Sequence, residues 1–171
     1  MKKTTKTSVK EVIYFAELAQ NYCDIIEEQA TIPADEFIVE CAGLIANLFA
    51  AALRFRNLEE STSPDYDCND VSTSSDRIAE LTTQIGEKLG SYNRYWEVVQ
   101  PYELAEPVSI TLGEDLADIY CDLKNGLIFF HGGQTTDVMQ AAFHWELLFF
   151  HWGEHAVDAL RAIKRIPYTD I

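Results

Sequence analysis

The sequence predicts an all-α fold: a single domain over residues 1–171, built as a bundle of about five helices with an aromatic, proline-bearing connection packed across it. Three observations predict it. Apolar residues recur with the period of a helix through most of the chain. Helix start and stop signals punctuate those stretches: Pro33, a T-x-x-E box from Thr111 to Glu114, and the run His131-Gly132-Gly133. No stretch shows the strict alternation of a half-buried strand. A chain of 171 residues that is 47% hydrophobic buries about two-thirds of its unfolded surface, so neither disulfide nor metal is needed for folding. The ordered core is expected over about 8–166.

The first helix is expected from about Ser8 to Ala30, with Val9, Val12, Ile13, Ala16, Ala19, Tyr22, Cys23 and Ile26 on its apolar face. Pro33 suits the first turn of a second helix, with Asp35 and Glu36 where the helix dipole favours negative charge. That helix runs to about Leu58 and is apolar almost all round, as a central bundle helix should be. Residues 59–76 are polar and acidic and read as one long surface loop. A third helix follows from Asp76 to about Leu89, capped by Ser75, with Ile78, Leu81, Ile85 and Leu89 facing inward. The aromatic segment over 91–107 is expected as a helical turn and an extended connection. The T-x-x-E box opens a fourth helix from about Leu112 to Phe130, and the glycines after His131 stop it. Thr135 or Thr136 caps a fifth helix running to about Ile166, closed by Pro167.

The net charge of −15 disfavours nucleic acid and anionic lipid, both of which carry phosphate charge, and suits a basic partner. The most apolar stretch, CAGLIANLFAAAL, is too short to span a bilayer and ends in Arg54 and Arg56, so no membrane association is expected. Cys23, Cys41, Cys68 and Cys121 form no CxxC pair, and no secretion signal precedes them. They read as reduced thiols in the cytoplasm.

Three of the four histidines, His144, His151 and His155, fall at i, i+7 and i+11 of the expected last helix. At 100° per residue they lie within about 40° of one another. His151 and His155 have the i, i+4 spacing of a metal-binding pair, whereas His144 lies about 10 Å away along the axis, too far to share their ion. The fourth helix carries a matching stripe of Asp115, Asp118 and Asp122. If the two helices are antiparallel neighbours, the stripes meet. They then hold a divalent metal on His151 and His155 with Asp118 or Asp122, or they form His–Asp hydrogen bonds that seal the bundle; the sealing role is the favoured expectation.

The rings of Phe143, Trp145, Phe149, Phe150 and Trp152 could line a pocket, but helical spacing favours core. Gly153, inside a helix, marks close approach of a bulky ring, with Trp96 or Tyr95 as the expected partner. In the acidic loop Asp65, Asp67, Asn69 and Asp76 fit positions 1, 3, 5 and 12 of a calcium loop. Asp70 replaces the turn glycine and Asp76 the bidentate glutamate, so a solvated loop is preferred. No phosphate-cradling glycine loop, nucleophile elbow, zinc-protease motif or pair of Glu-x-x-His segments occurs.

Four blocks carry a resemblance: YCDIIEE; LFAAAL; YNRYWEVVQPYE with EDLADIYCDLKNGL; and FHWELLFFHWGEHAVDALRAI. Together, from about Val12 to Ile166, they resemble an uncharacterised bacterial domain-of-unknown-function family of small all-helical proteins. The resemblance implies bundled helices and a bacterial cytoplasm, and it implies no activity. It points to Asp115, Asp118, Asp122, His151, Trp152, Gly153 and His155. His144 falls where the family has an aromatic-rich stretch, so its role is not carried over.

The function expected is therefore a non-enzymatic cytoplasmic module for protein interaction or self-association. The alternative is a small-molecule or metal-binding bundle, including a metal-dependent enzyme, in which the Asp stripe and the His stripe with Trp152 form the site and a divalent metal is the only cofactor considered.

Overall fold

A computed structural model describes residues 7–55, 73–98, 102, 104–132 and 135–167, with the backbone alone for 135–137. Six α-helices stand among the described residues: α1 (Val9–Glu28), α2 (Ala34–Ala52), α3 (Ser75–Leu89), α4 (Leu112–Phe130), α5 (Thr135–Leu147) and α6 (Phe149–Lys164). Between α3 and α4 lies a small antiparallel sheet, β1 (Arg94–Glu97) with β2 (Val108–Thr111). Among these residues no helix is long and apolar enough to cross a membrane.

Local chemistry sets the helix ends. Ser8 closes a capping box with Glu11 at the start of α1. Ser74, not Ser75, caps α3, accepting from the Arg77 amide. Pro33 stands at the N-cap of α2, one residue earlier than expected. Thr111 caps α4: its hydroxyl accepts from the Glu114 amide and donates to the Glu114 carboxylate at 2.7 Å. α4 keeps the bounds its sequence signals predict. Gly133 and the side chains of Thr135 and Thr136, expected to stop α4 and cap α5, lie outside the described residues.

α4 is the central element and packs against α1, α3, α5 and α6. Twelve of its 19 residues are buried, including Asp115, Asp122 and Asn125, so its polar groups must find partners inside the bundle. Tyr22 of α1 donates to the Leu116 carbonyl at 2.9 Å. Gly126 lets α5 close on α4. A Cβ built there would fall within the indole of Trp145, whose Nε1 donates to the Leu123 carbonyl at 3.1 Å.

Four expectations are corrected. The last helix is two helices: Leu148 (φ −87°, ψ 1°) leaves helical geometry and separates α5 from α6. The break turns both Trp145 and Trp152 into the core, where neither is exposed. Trp152 Nε1 donates to the Trp145 carbonyl at 3.0 Å, satisfying one acceptor that the end of α5 leaves open. α2 stops at Ala52 rather than near Leu58, and Phe55 folds inward against Phe15 with ring centroids 5.1 Å apart. On α1, Phe15 is fully buried while Val9 and Ile13 are exposed, so the apolar face is rotated from the one expected. Finally, the 91–107 connection contributes a strand: Arg94, Tyr95, Trp96 and Glu97 pair with Thr111, Ile110, Ser109 and Val108.

Candidate functional site

The N-terminus of α4 is pinned from two sides. The Asn93 carbonyl accepts from the Leu112 amide at 2.7 Å, and the Asn93 side chain accepts from the Gly113 amide at 2.9 Å. This anchor fixes the start of the β1 strand beside α4 and brings Tyr95 over Asp115. α6 packs on the same flank of α4, so its His151 and His155 meet the Asp stripe.

Asp115 is only 1% exposed. Its carboxylate accepts from the Tyr95 hydroxyl at 2.5 Å and from His155 Nδ1 at 2.9 Å. About two turns further along α4, Asp122 accepts from His151 Nδ1 at 2.8 Å. A carboxylate can only accept, so each Nδ1 carries the proton and each Nε2 is the second, distinct nitrogen. The two imidazoles meet edge to face at 4.8 Å. Asp118 differs from its neighbours. Its Oδ2 lies 3.6 Å from His155 Nε2, beyond hydrogen-bond length, and it also lines an open cleft of about 480 Å³ between α3 and α4, together with Ser75, Thr82, Thr83 and Glu114.

The electrostatics follow the geometry. The hydrogen bond to Asp115 holds the His155 pKa above the ordinary imidazole value, against the opposing effect of burial. Burial pushes the carboxyls of Asp118 and Asp122 up, opposed by the nearby imidazoles. Burial also raises Asp158, with Asp115 and Glu154 adding repulsion. Tyr95 is raised first by burial and then by its bond to Asp115.

A raised His155 pKa fixes the sign of a pH effect. The folded state binds the proton more tightly than the unfolded state, so this contribution to stability is fully present below about 6.5, the unfolded value, and is lost as pH rises through the higher folded pKa. Melting temperatures of wild type and His155→Asn across pH 5.5–8.5 check it. Asn keeps a donor near the Nδ1 position and cannot take a charge. The wild-type advantage is expected to be largest at the acid end and to shrink toward pH 8.5. A constant difference would mean that His155 does not titrate with folding.

The structure brings Asp115, Asp118, Asp122, His151 and His155 to one seam. It does not bring His144 there. The i, i+7, i+11 stripe presumed one straight helix, and the break at Leu148 removes that premise. His144 sits on α5 and stacks on Phe129 at 5.5 Å, fourteen residues along α4 from Asp115, or about 21 Å. Burial lowers its pKa. Trp152 lies in the aromatic core against Phe149 and Phe15 rather than in a pocket. The ring beside Gly153 is Phe149, one turn earlier on α6, and not Trp96 or Tyr95.

Among the described residues no group of three or more His, Cys, Asp and Glu is disposed to hold a metal ion. The reason is visible in the pairing: each histidine is drawn to its own carboxylate, so the ligand atoms do not converge on one point. Of the calcium-like set, Asp65, Asp67 and Asn69 lie outside the described residues, and Asp76 sits in the first turn of α3. The sequence reading missed Tyr95 as a partner of Asp115, and it missed the ion pair of Arg161 with the buried Glu97. The available signal was a short one: in RYWE, Tyr95 and Glu97 share the inward face while Arg94 and Trp96 point out.

The chain matches, over residues 6–169, a family described as a domain of unknown function (DUF5063). No curated protein matches it. Among solved structures it is similar to the crystal structure of protein BF1032 from Bacteroides fragilis, a structural-genomics target. The two share 20% sequence identity over 95% of each chain, with a TM-score of 0.78, a likeness of fold.

Proposed function

We propose that this chain, which belongs to the DUF5063 domain family, is a non-catalytic cytoplasmic binding module that docks a basic side chain of a partner protein in the cleft between α3 and α4. One observation carries the reading. Of the three aspartates on the α4 stripe, Asp115 and Asp122 are each taken up by a histidine, while Asp118 has no histidine nitrogen closer than 3.6 Å and faces the cleft. Glu114 stands one turn before it on the same wall, and the facing wall of α3 presents the hydroxyls of Ser75, Thr82 and Thr83 beside the apolar Ile78 and Ala79.

Such a site suits an ammonium or guanidinium group. The carboxylates supply charge, and the hydroxyls accept the remaining donors. The net charge of −15 adds long-range attraction for a basic partner and speeds encounter. The His–Asp pairs then serve to hold α6 on α4, fixing Asp118 at the rim. Three free thiols, Cys23, Cys41 and Cys121, fit a reducing compartment.

The test is titration of a fluorescent octalysine peptide at about 0.1 M salt, where exposed charges beyond about 10 Å are largely screened. Asp118→Asn is expected to weaken binding about tenfold, equivalent to about 1.4 kcal/mol. Glu17→Gln makes the same charge change on the exposed face of α1 and is expected to change little. Wild-type affinity should also fall as pH drops through the raised pKa of Asp118. Equal losses in the two variants would reduce the effect to overall charge and sink the cleft as the docking point.

A further inference from the structure

We propose, resting on the docking reading of the α3–α4 cleft, that docking there is switched by a proton on His155: the neutral imidazole leaves Asp118 to the partner's basic group, and the imidazolium takes it. His155 Nδ1 donates to the buried Asp115 at 2.9 Å. That bond fixes the ring and leaves Nε2 as the nitrogen that gains or loses the second proton. Nε2 lies 3.6 Å from Asp118 Oδ2, and Asp118 also lines the cleft. One carboxylate thus stands between a titrating nitrogen and a docking site.

In the neutral ring Nε2 holds a lone pair and faces a carboxylate that also only accepts, so no hydrogen bond joins them. Protonation turns Nε2 into a cationic donor. A closure of about 0.8 Å then brings the pair to the roughly 2.8 Å of a charge-assisted hydrogen bond. The imidazolium draws Asp118 toward α6 and offsets the negative charge that a docked ammonium would use. The surrounding groups leave this part to Asp118. On α4, Asp115 already accepts from Tyr95 of β1 and from His155, and Asp122 accepts from His151. On α6, the His151 ring stands edge to face at 4.8 Å, and Asp158, itself beside Glu154, adds attraction for the proton. The hydrogen bond to Asp115 and the charges of Asp115, Asp118 and Asp158 hold His155 above the ordinary imidazole value against burial. The switch therefore works on the alkaline side of about 6.5.

Octalysine titration of the full chain from about pH 6 to about pH 9 tests this, a range in which the probe's lysines, with a pKa of about 10.4, keep their charge. Wild-type affinity is expected to be about fivefold weaker at the acid end, the lower end of coupling between two sites. His155→Asn, read as the slope of its own pH profile, should lose most of that dependence. His151→Asn should keep most of it, since His151 acts on Asp118 only across space while its Nδ1 is bonded to Asp122. By linkage, saturating octalysine should lower the proton affinity of His155 about fivefold, read from the NMR titration of its ring carbons. Asp118→Asn should lower it with no octalysine present. Equal losses of octalysine affinity in Asp118→Asn and Glu17→Gln at the alkaline end overturn the docking reading and the switch with it. The switch alone is overturned by a wild-type slope in His155→Asn, by equal flattening in His151→Asn, or by a His155 titration that Asp118→Asn leaves unmoved.

Discussion

Replacing Gly126 by alanine is expected to destabilise the protein by about 3 kcal/mol, although alanine is the better helix former. On propensity alone the change should gain about 1 kcal/mol. The new methyl would fall on Nε1, Cε2 and Cδ1 of Trp145, which is fully buried. The indole cannot retreat cheaply. It is tilted against Phe15 at 4.8 Å and lies beside Phe130, and its Nε1 is bonded to the Leu123 carbonyl. Overpacking costs about 1–3 kcal/mol, and orphaning a buried N–H about 1–3 kcal/mol more. Gly43→Ala provides the contrast: nothing lies within 4 Å of a Cβ there, so that variant should gain stability. Urea denaturation of both variants, with Trp145→Phe added to Gly126→Ala, checks the mechanism. A smaller ring without an N–H should recover part of the loss, a coupling expected only if the two residues touch. If Gly126→Ala is as stable as wild type, the close approach of α5 to α4 is wrong.

The same contact shows what a sequence can and cannot disclose here. The bounds of α4 are legible because its signals are local: Thr111 and Glu114 lie three residues apart and act on each other. The Asp and His stripes are legible because a 3.6-residue period puts them on one face of each helix. The break at Leu148 is not, because no proline or glycine marks it. It arises from tertiary packing, which turns two large indoles into one core and lets Trp152 bond the carbonyl of Trp145. A period carried across that break placed His144 in a stripe it does not join.

β1 and β2 escaped notice for a related reason. Each has four residues, too few for alternation to stand out, and the ten residues between them hide the pairing. With the strand missed, Tyr95 was offered as a neighbour of Gly153 rather than of Asp115, although its hydroxyl makes the shortest hydrogen bond of the seam. Phe15 was passed over because Val9 and Ile13 completed a plausible face. Only the folded neighbours Phe55, Trp145 and Trp152 show why the ring is turned in.

The seam itself predicts a gradient among three chemically identical residues. Asp115→Ala is expected to cost about 3 kcal/mol, because it strips the acceptor from both the Tyr95 hydroxyl and His155 Nδ1. Breaking a buried pair by removing one partner costs about 3–5 kcal/mol. The lower end applies, since both donors are half-buried and water can reach them in part. Asp122→Ala should cost about 1 kcal/mol: its partner among the described residues, His151, has a side chain 46% exposed, and solvent weakens such pairs. Asp118→Ala should change stability by less than about 0.5 kcal/mol, having no histidine within hydrogen-bond length to orphan. For a chain of this size each kcal/mol moves the melting temperature by about 2–4 °C, so thermal melts resolve the order. Asp115→Ala combined with His155→Ala should cost less than the sum of the two, because the second change removes the donor that the first leaves unsatisfied. The order 115, 122, 118 separates stability from binding, since the aspartate that matters least to folding is the one expected to matter most to octalysine. Should Asp118→Ala prove the most destabilising of the three, that residue is structural, and the docking role assigned to it in the cleft fails.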